Sequence, residues 1–135
     1  MKIQPLRLLG KKNNGKKFSF PHRVAIIDLG SNSIKLRIYE IISDSSHKIL
    51  FEDRNMIRLG SAVFSTQVLP DSAFDKTVDT LTSYKKLLNK FEVHDIVIKA
   101  TSAVREAKNV AEFQAFVQKK TGFQVEVLTG LEEAQ

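Results

Sequence analysis

The decapeptide Val24-Ala25-Ile26-Ile27-Asp28-Leu29-Gly30-Ser31-Asn32-Ser33 constrains the fold more than any other stretch of the chain. Four apolar residues in succession predict a strand buried on both faces, because a half-buried strand would alternate with polar residues. The run ends in an acid followed by Gly-Ser-Asn-Ser, so the chain changes direction where an ionisable side chain sits at the strand's carboxyl end. Ligands gather at that edge in α/β sheets. There Asp28 can bind a hydrated divalent metal or orient a water. Gly30 permits close backbone approach, and the N–H groups and hydroxyls of Ser31, Asn32 and Ser33 suit an anion-binding nest. The same residues also make ordinary hairpin turns, and the spacing leaves both readings open.

Downstream, Ile34, Leu36, Ile38 and Glu40 alternate with Lys35, Arg37 and Tyr39, and a third strand over 47–56 follows the turn Ser43-Asp44-Ser45-Ser46. Short connections predict antiparallel pairing of these three. Beyond Pro70 the period becomes helical, with Phe74, Val78, Leu81, Leu88 and Phe91 on one stripe and Ser72 and Asp75 at capping-box spacing. A strand is predicted over 95–100. A second helix over 110–120 takes Asn109 as its cap, turns Phe113, Phe116 and Val117 inward, and stops at Gly122. Phe123, Val125 and Val127 alternate as a fifth strand ending at Thr129-Gly130, where a further helix begins. Three antiparallel strands continuing into βαβ units predict an α/β fold of the actin-like, ribonuclease-H-like class. Its mixed five-stranded sheet carries helices on its faces, and right-handed crossovers set the later strands parallel to the first.

The chain has 135 residues, enough for one domain, with 42% apolar residues and no Cys. Without Cys there is no disulfide framework, thiolate zinc site or Cys nucleophile. No stretch approaches the roughly 18 apolar residues of a membrane span, and the expectation is a soluble protein of the cytoplasm. The net charge of +6 is localised: Lys2, Arg7, Lys11, Lys12, Lys16 and Lys17 occur without an acid in residues 1–22, while residues 23–135 balance at 15 against 15. Residues 1–22, rich in Gly, Asn and Lys, are expected to form a basic flexible extension and 23–135 the folded lobe. Nucleic-acid binding would have to rest on that extension alone.

Three further groups carry candidate chemistry. Arg105 follows the fourth strand near the edge where Asp28 lies, and a guanidinium there can grip a phosphate or simply pair with Glu106 or Glu112. Arg58, in Ile57-Arg58-Leu59-Gly60, has the same two readings. In Thr129-Gly130-Leu131-Glu132-Glu133-Ala134, Glu132 stands at capping-box distance from Thr129, which leaves Glu133 for either a general base or a helix-dipole partner. His22, His47 and His94 lack metal-ligand spacing and receive no role.

The segments 24–33, 57–60, 100–107 and 129–134, in this order and spacing, resemble the amino-terminal lobe of the exopolyphosphatase/guanosine pentaphosphate phosphohydrolase (Ppx/GppA) family. The resemblance implies a two-lobed, actin-like enzyme that hydrolyses a terminal phosphoanhydride of inorganic polyphosphate or guanosine pentaphosphate with Mg²⁺, and a homodimer for the full-length parent. It implies that Asp28 lies near the metal, that Gly30, Ser31, Asn32, Ser33 and Arg58 bind phosphate, that Arg105 contacts phosphate during catalysis, and that Glu133 activates water. The family's second phosphate loop, of Asp-x-Gly-Gly-Gly-Ser type, does not occur before Gln135, so these residues are expected to hold one lobe and to be inactive or nearly so. Rival readings are a non-catalytic module for polyphosphate or guanosine tetraphosphate and a sugar or acetate kinase of the same fold.

Overall fold

The computed structural model describes residues 4–5 and 19–128. Its elements are β1 Gln4–Pro5, β2 His22–Leu29, β3 Ser33–Ser43, β4 Ser46–Met56, α1 Leu59–Thr66, α2 Asp71–Lys90, β5 Asp95–Ala100, α3 Ser102–Arg105, α4 Val110–Thr121 and β6 Glu126–Val127. The meander β2-β3-β4 is antiparallel, with Ile27 opposite Leu36 and Arg37 opposite Glu52. β5 pairs parallel to β2, Ile27 against Ile98, so the chain between β4 and β5 crosses back over the sheet. The far edge of β5 is shared, with β1 pairing at Asp95 and Ile96 and β6 at Lys99 and Ala100.

The core lies on the sheet face that carries Ala25, Ile27 and Leu29 of β2, Ile34, Leu36 and Ile38 of β3, and Ile96, Ile98 and Ala100 of β5. Alternation places these side chains together, because register partners share a face. Phe74, Leu81, Tyr84 and Leu88 of α2 and Phe113 and Val117 of α4 close over them. Phe74 and Phe113 meet edge to face with centroids 5.3 Å apart. On the opposite parity of β2, Val24 is fully buried but Ile26 and Asp28 are half-buried, so burial on both faces extends over only part of the predicted run.

Several local expectations change. The boundary predicted after residue 22 moves, since Gln4–Pro5 and His22 both belong to the sheet; residues 1–3 and 6–18 of the basic extension lie outside the described residues. α1 and α3 were not predicted. The expected box at Ser72 and Asp75 does not start α2, which begins one residue after Pro70, with the Pro70 carbonyl accepting from Ala73 and Phe74 N–H. Asn109 occupies the N-cap of α4 but makes no side-chain cap. Its amide instead clasps Leu69, accepting from the Leu69 N–H and donating to its carbonyl, both at 2.9 Å. Gly122 ends α4 in the left-handed conformation at φ 80°, as predicted. The fifth strand keeps only two ladder residues, although Phe123 and Val125 are buried as their alternation requires.

Candidate functional site

Four segments converge at the carboxyl edge of the sheet: the turn between β2 and β3, the entry to α1, the turn from β5 into α3, and Leu128 beyond β6. Backbone hydrogen bonds hold the first. The Gly30 N–H donates to the Ser33 carbonyl at 3.0 Å, Gly60 N–H to the Ser31 carbonyl at 2.7 Å, and Ile57 and Arg58 N–H both to the Asn32 carbonyl at 3.1 and 2.9 Å. Every carbonyl from Ser31 to Ser33 is therefore turned into the scaffold. Among the described residues the N–H groups of Ser31 and Asn32 have no acceptor, which leaves two backbone donors available to an anion. A Cβ on Gly30 would stand 3.3 Å from the Ser33 carbonyl oxygen, so the turn favours glycine on packing grounds.

Asp28, two residues before this turn, has a buried Oδ1 that accepts no hydrogen bond. Its register partners are Lys35 on β3 and Lys99 on β5, which flank the carboxylate on the same face. A buried, unbonded carboxylate oxygen is normally costly, which is a reason to look for a cation there. No group of three His, Cys, Asp or Glu side chains suited to a metal occurs among the described residues. One carboxylate fits a Mg²⁺ that keeps most of its waters, and does not fit a metal caged by protein ligands.

The second anchor is α3. Thr101 N–H donates to the Leu29 carbonyl at 3.2 Å, tying the end of β5 to the end of β2. Ser102 Oγ then lies 3.2 Å from Ser31 Oγ, joining α3 to the turn across 71 residues. Arg105, at the end of α3, is anchored rather than simply solvated: its Nη1 donates to the Leu128 carbonyl at 3.1 Å, and its Nε lies 3.4 Å from Glu106 Oε1. The pairing with Glu106 weighed from sequence is thus present, alongside a tether to Leu128 just beyond β6. Arg58 has an exposed side chain and a left-handed backbone at φ 53°, which turns its N–H onto Asn32 as the chain enters α1. The structure brings together Asp28, Gly30, Ser31, Asn32, Ser33 and the backbones that carry Arg58 and Arg105. Glu133 lies outside the described residues, as does the whole segment 129–134.

Sequence reasoning missed Ser102 as a member of the site. Its only local signal is a hydroxyl just past a strand's carboxyl end. It also missed the opposite end of the sheet, where His22 Nε2 meets Asp95 Oδ2 at 2.6 Å and the His22 ring stacks on His94 with centroids 4.7 Å apart. Arg23 N–H donates to His94 Nδ1 at 3.0 Å, and its guanidinium reaches Glu40 and the Phe91 carbonyl. These contacts clamp the first residues of β2 to the start of β5.

Comparison with known proteins identifies the family and the fold. The family model described as the Ppx/GppA phosphatase family matches residues 38–135. Exopolyphosphatase 1 of Mycobacterium leprae is 28% identical over 113 residues, covering 84% of this chain and 33% of its own length. The bifunctional 3-dehydroquinate synthase/phosphatase of Fusobacterium nucleatum is 30% identical over 116 residues, covering 82% of this chain and 18% of its own. Among solved structures, the Aquifex aeolicus Ppx/GppA family member superposes with a TM-score of 0.76 at 38% identity, over 81% of this chain and 35% of that one. An exopolyphosphatase from Cytophaga hutchinsonii gives a TM-score of 0.78 at 28% identity, over 84% and 36%. The fold is the actin-like lobe predicted from the strand order, and the chain spans about a third of these exopolyphosphatases.

Proposed function

Because the chain belongs to the Ppx/GppA phosphatase family, we propose that it is the amino-terminal lobe of a cytoplasmic phosphohydrolase that removes the terminal phosphate of inorganic polyphosphate or guanosine pentaphosphate. The observation that carries this reading is the turn 30–33, whose carbonyls are all held by the scaffold while the Ser31 and Asn32 N–H groups stay without an acceptor beside an unbonded Asp28 oxygen. Phosphoryl transfer needs charge neutralisation and an aligned nucleophile more than covalent help from the protein, and fixed donors supply the first. In this reading the terminal phosphate sits on the N–H groups of the turn, with Arg58 and Arg105 reaching its remaining oxygens. Asp28 would hold the waters of a Mg²⁺, which when bound offsets phosphate charge. Glu133 takes the proton of the attacking water as the new P–O bond forms. The bridging P–O bond breaks, and its oxygen leaves with the electron pair on the shortened chain. No described helix is long and apolar enough to cross a membrane.

Turnover on this reading requires the opposing lobe, so the 135 residues alone bind without hydrolysing. Incubation with long-chain polyphosphate should release no more orthophosphate than a buffer control. Substantial release that Glu133→Gln abolishes would overturn the half-site reading, and saturable submicromolar binding without release would favour a dedicated receptor.

A further inference from the structure

We propose that Ser102 is a positioning residue that acts through Ser31, sharpening the phosphate turn from the far side of the edge; this rests on the reading of that turn given above. The two hydroxyl oxygens are 3.2 Å apart and partly buried. Their spacing is set by backbone, since Thr101 N–H is bonded to the Leu29 carbonyl on one side and the Ser31 carbonyl to Gly60 N–H on the other. Two hydroxyls hold two protons, and one is consumed in the bond between them. The pair therefore keeps one proton to give to an acceptor. When a phosphate oxygen lies over the turn, the favourable arrangement has Ser102 donating to Ser31 and Ser31 donating to the anion, because an oxygen that accepts a hydrogen bond becomes a better donor. Ser102 thereby fixes the rotamer of Ser31 and polarises its O–H without touching the ligand. Its place at the first residue of α3 also joins the turn to the four-residue helix that ends in Arg105, so both phosphate-binding segments share one anchor.

The test is titration of the whole chain with tripolyphosphate in the presence of Mg²⁺, followed by calorimetry. Ser102→Ala should weaken binding by about three- to tenfold, the usual effect of losing one hydrogen bond. Ser102→Thr should restore it to within about twofold, because the hydroxyl returns. Ser31→Ala combined with Ser102→Ala should bind no more weakly than Ser31→Ala alone, as expected when one residue acts through the other. Unchanged affinity in Ser102→Ala, failure of Ser102→Thr to rescue, or full additivity of the two alanine variants would each overturn the proposal. A lower melting temperature in Ser102→Ala together with full rescue by Thr still supports it, since a packing role for the side chain does not require a hydroxyl. Absence of any tripolyphosphate binding by the unaltered chain would instead refute the reading of the turn, and this proposal with it.

Discussion

Tyr84 shows how a single buried side chain links the helical layer to the sheet near the site. Its ring is 2% exposed on α2, and its hydroxyl donates to the Ile34 carbonyl at 3.3 Å, one residue beyond the turn 30–33. Burial pushes its phenol above the ordinary value, and the charge and hydrogen bond of Asp53 push in the same direction. A folded-state value raised above the unfolded one, about 10, leaves the stabilisation complete below that pH. Above it the unfolded chain sheds its proton first and stability falls. Denaturant unfolding between pH 9 and 11 should therefore show a steeper loss for the unaltered chain than for Tyr84→Phe, with the two curves parallel below pH 9. A constant difference between them across the range would show that Tyr84 is not held neutral. At this scale the sequence was readable where chemistry is local. Asp28 and the turn 30–33 stand out because an acid and turn-forming residues interrupt an apolar run, whereas the bond from Ser102 to Ser31 spans 71 residues and leaves no periodic trace.

Helices were legible in proportion to their length. The 20 residues of α2 and the 12 of α4 repeat their apolar stripe often enough to reveal the period, and both were predicted. The eight residues of α1 include Gly60, Ser61 and Ser65 and have no side-chain cap, and the entry to this helix is set by bonds to Ser31 and Asn32 from an earlier segment. Asn109 illustrates the competition between local and distant partners. Its spacing suits a cap, but Leu69 offers both a donor and an acceptor, and the amide satisfies the two together. Asn109→Ala should leave both backbone groups of Leu69, a residue 1% exposed, without these partners and cost about 1–3 kcal/mol in urea unfolding. Asn109→Asp, which keeps the acceptor for the Leu69 N–H, should cost less. Equal stability of Asn109→Ala and the unaltered chain would show that the clasp contributes nothing to folding.

Across the whole molecule, the positive charge and the site belong to different parts of the chain. The folded lobe is close to neutral, so on the proposed reading phosphate affinity at the edge depends on placement, and Lys11, Lys12, Lys16 and Lys17 add a diffuse charge outside the described residues. Deleting residues 1–22 would also remove β1 and the contact of His22 with Asp95, so neutralisation by Lys→Gln at those four positions is the cleaner experiment. It should weaken long-chain polyphosphate binding several-fold at low ionic strength and leave it unchanged near 0.5 M salt, where the Debye length falls to roughly 4 Å. Equal affinity at low salt would reduce the extension to a solubilising role.

The sheet order carries a consequence for how the protein is made. β2 finds β3 within a few residues, but its other edge is completed only by β5, with Val24 opposite Asp95 about seventy residues later. A ribosome therefore releases the meander β2-β3-β4 well before β5 emerges, leaving the backbone of Val24, Ala25, Ile26 and Ile27 as an open, apolar edge for the intervening interval. Such an edge is a template for pairing between nascent chains. The strand that leads into the turn 30–33 thus waits some seventy residues of synthesis for its second partner.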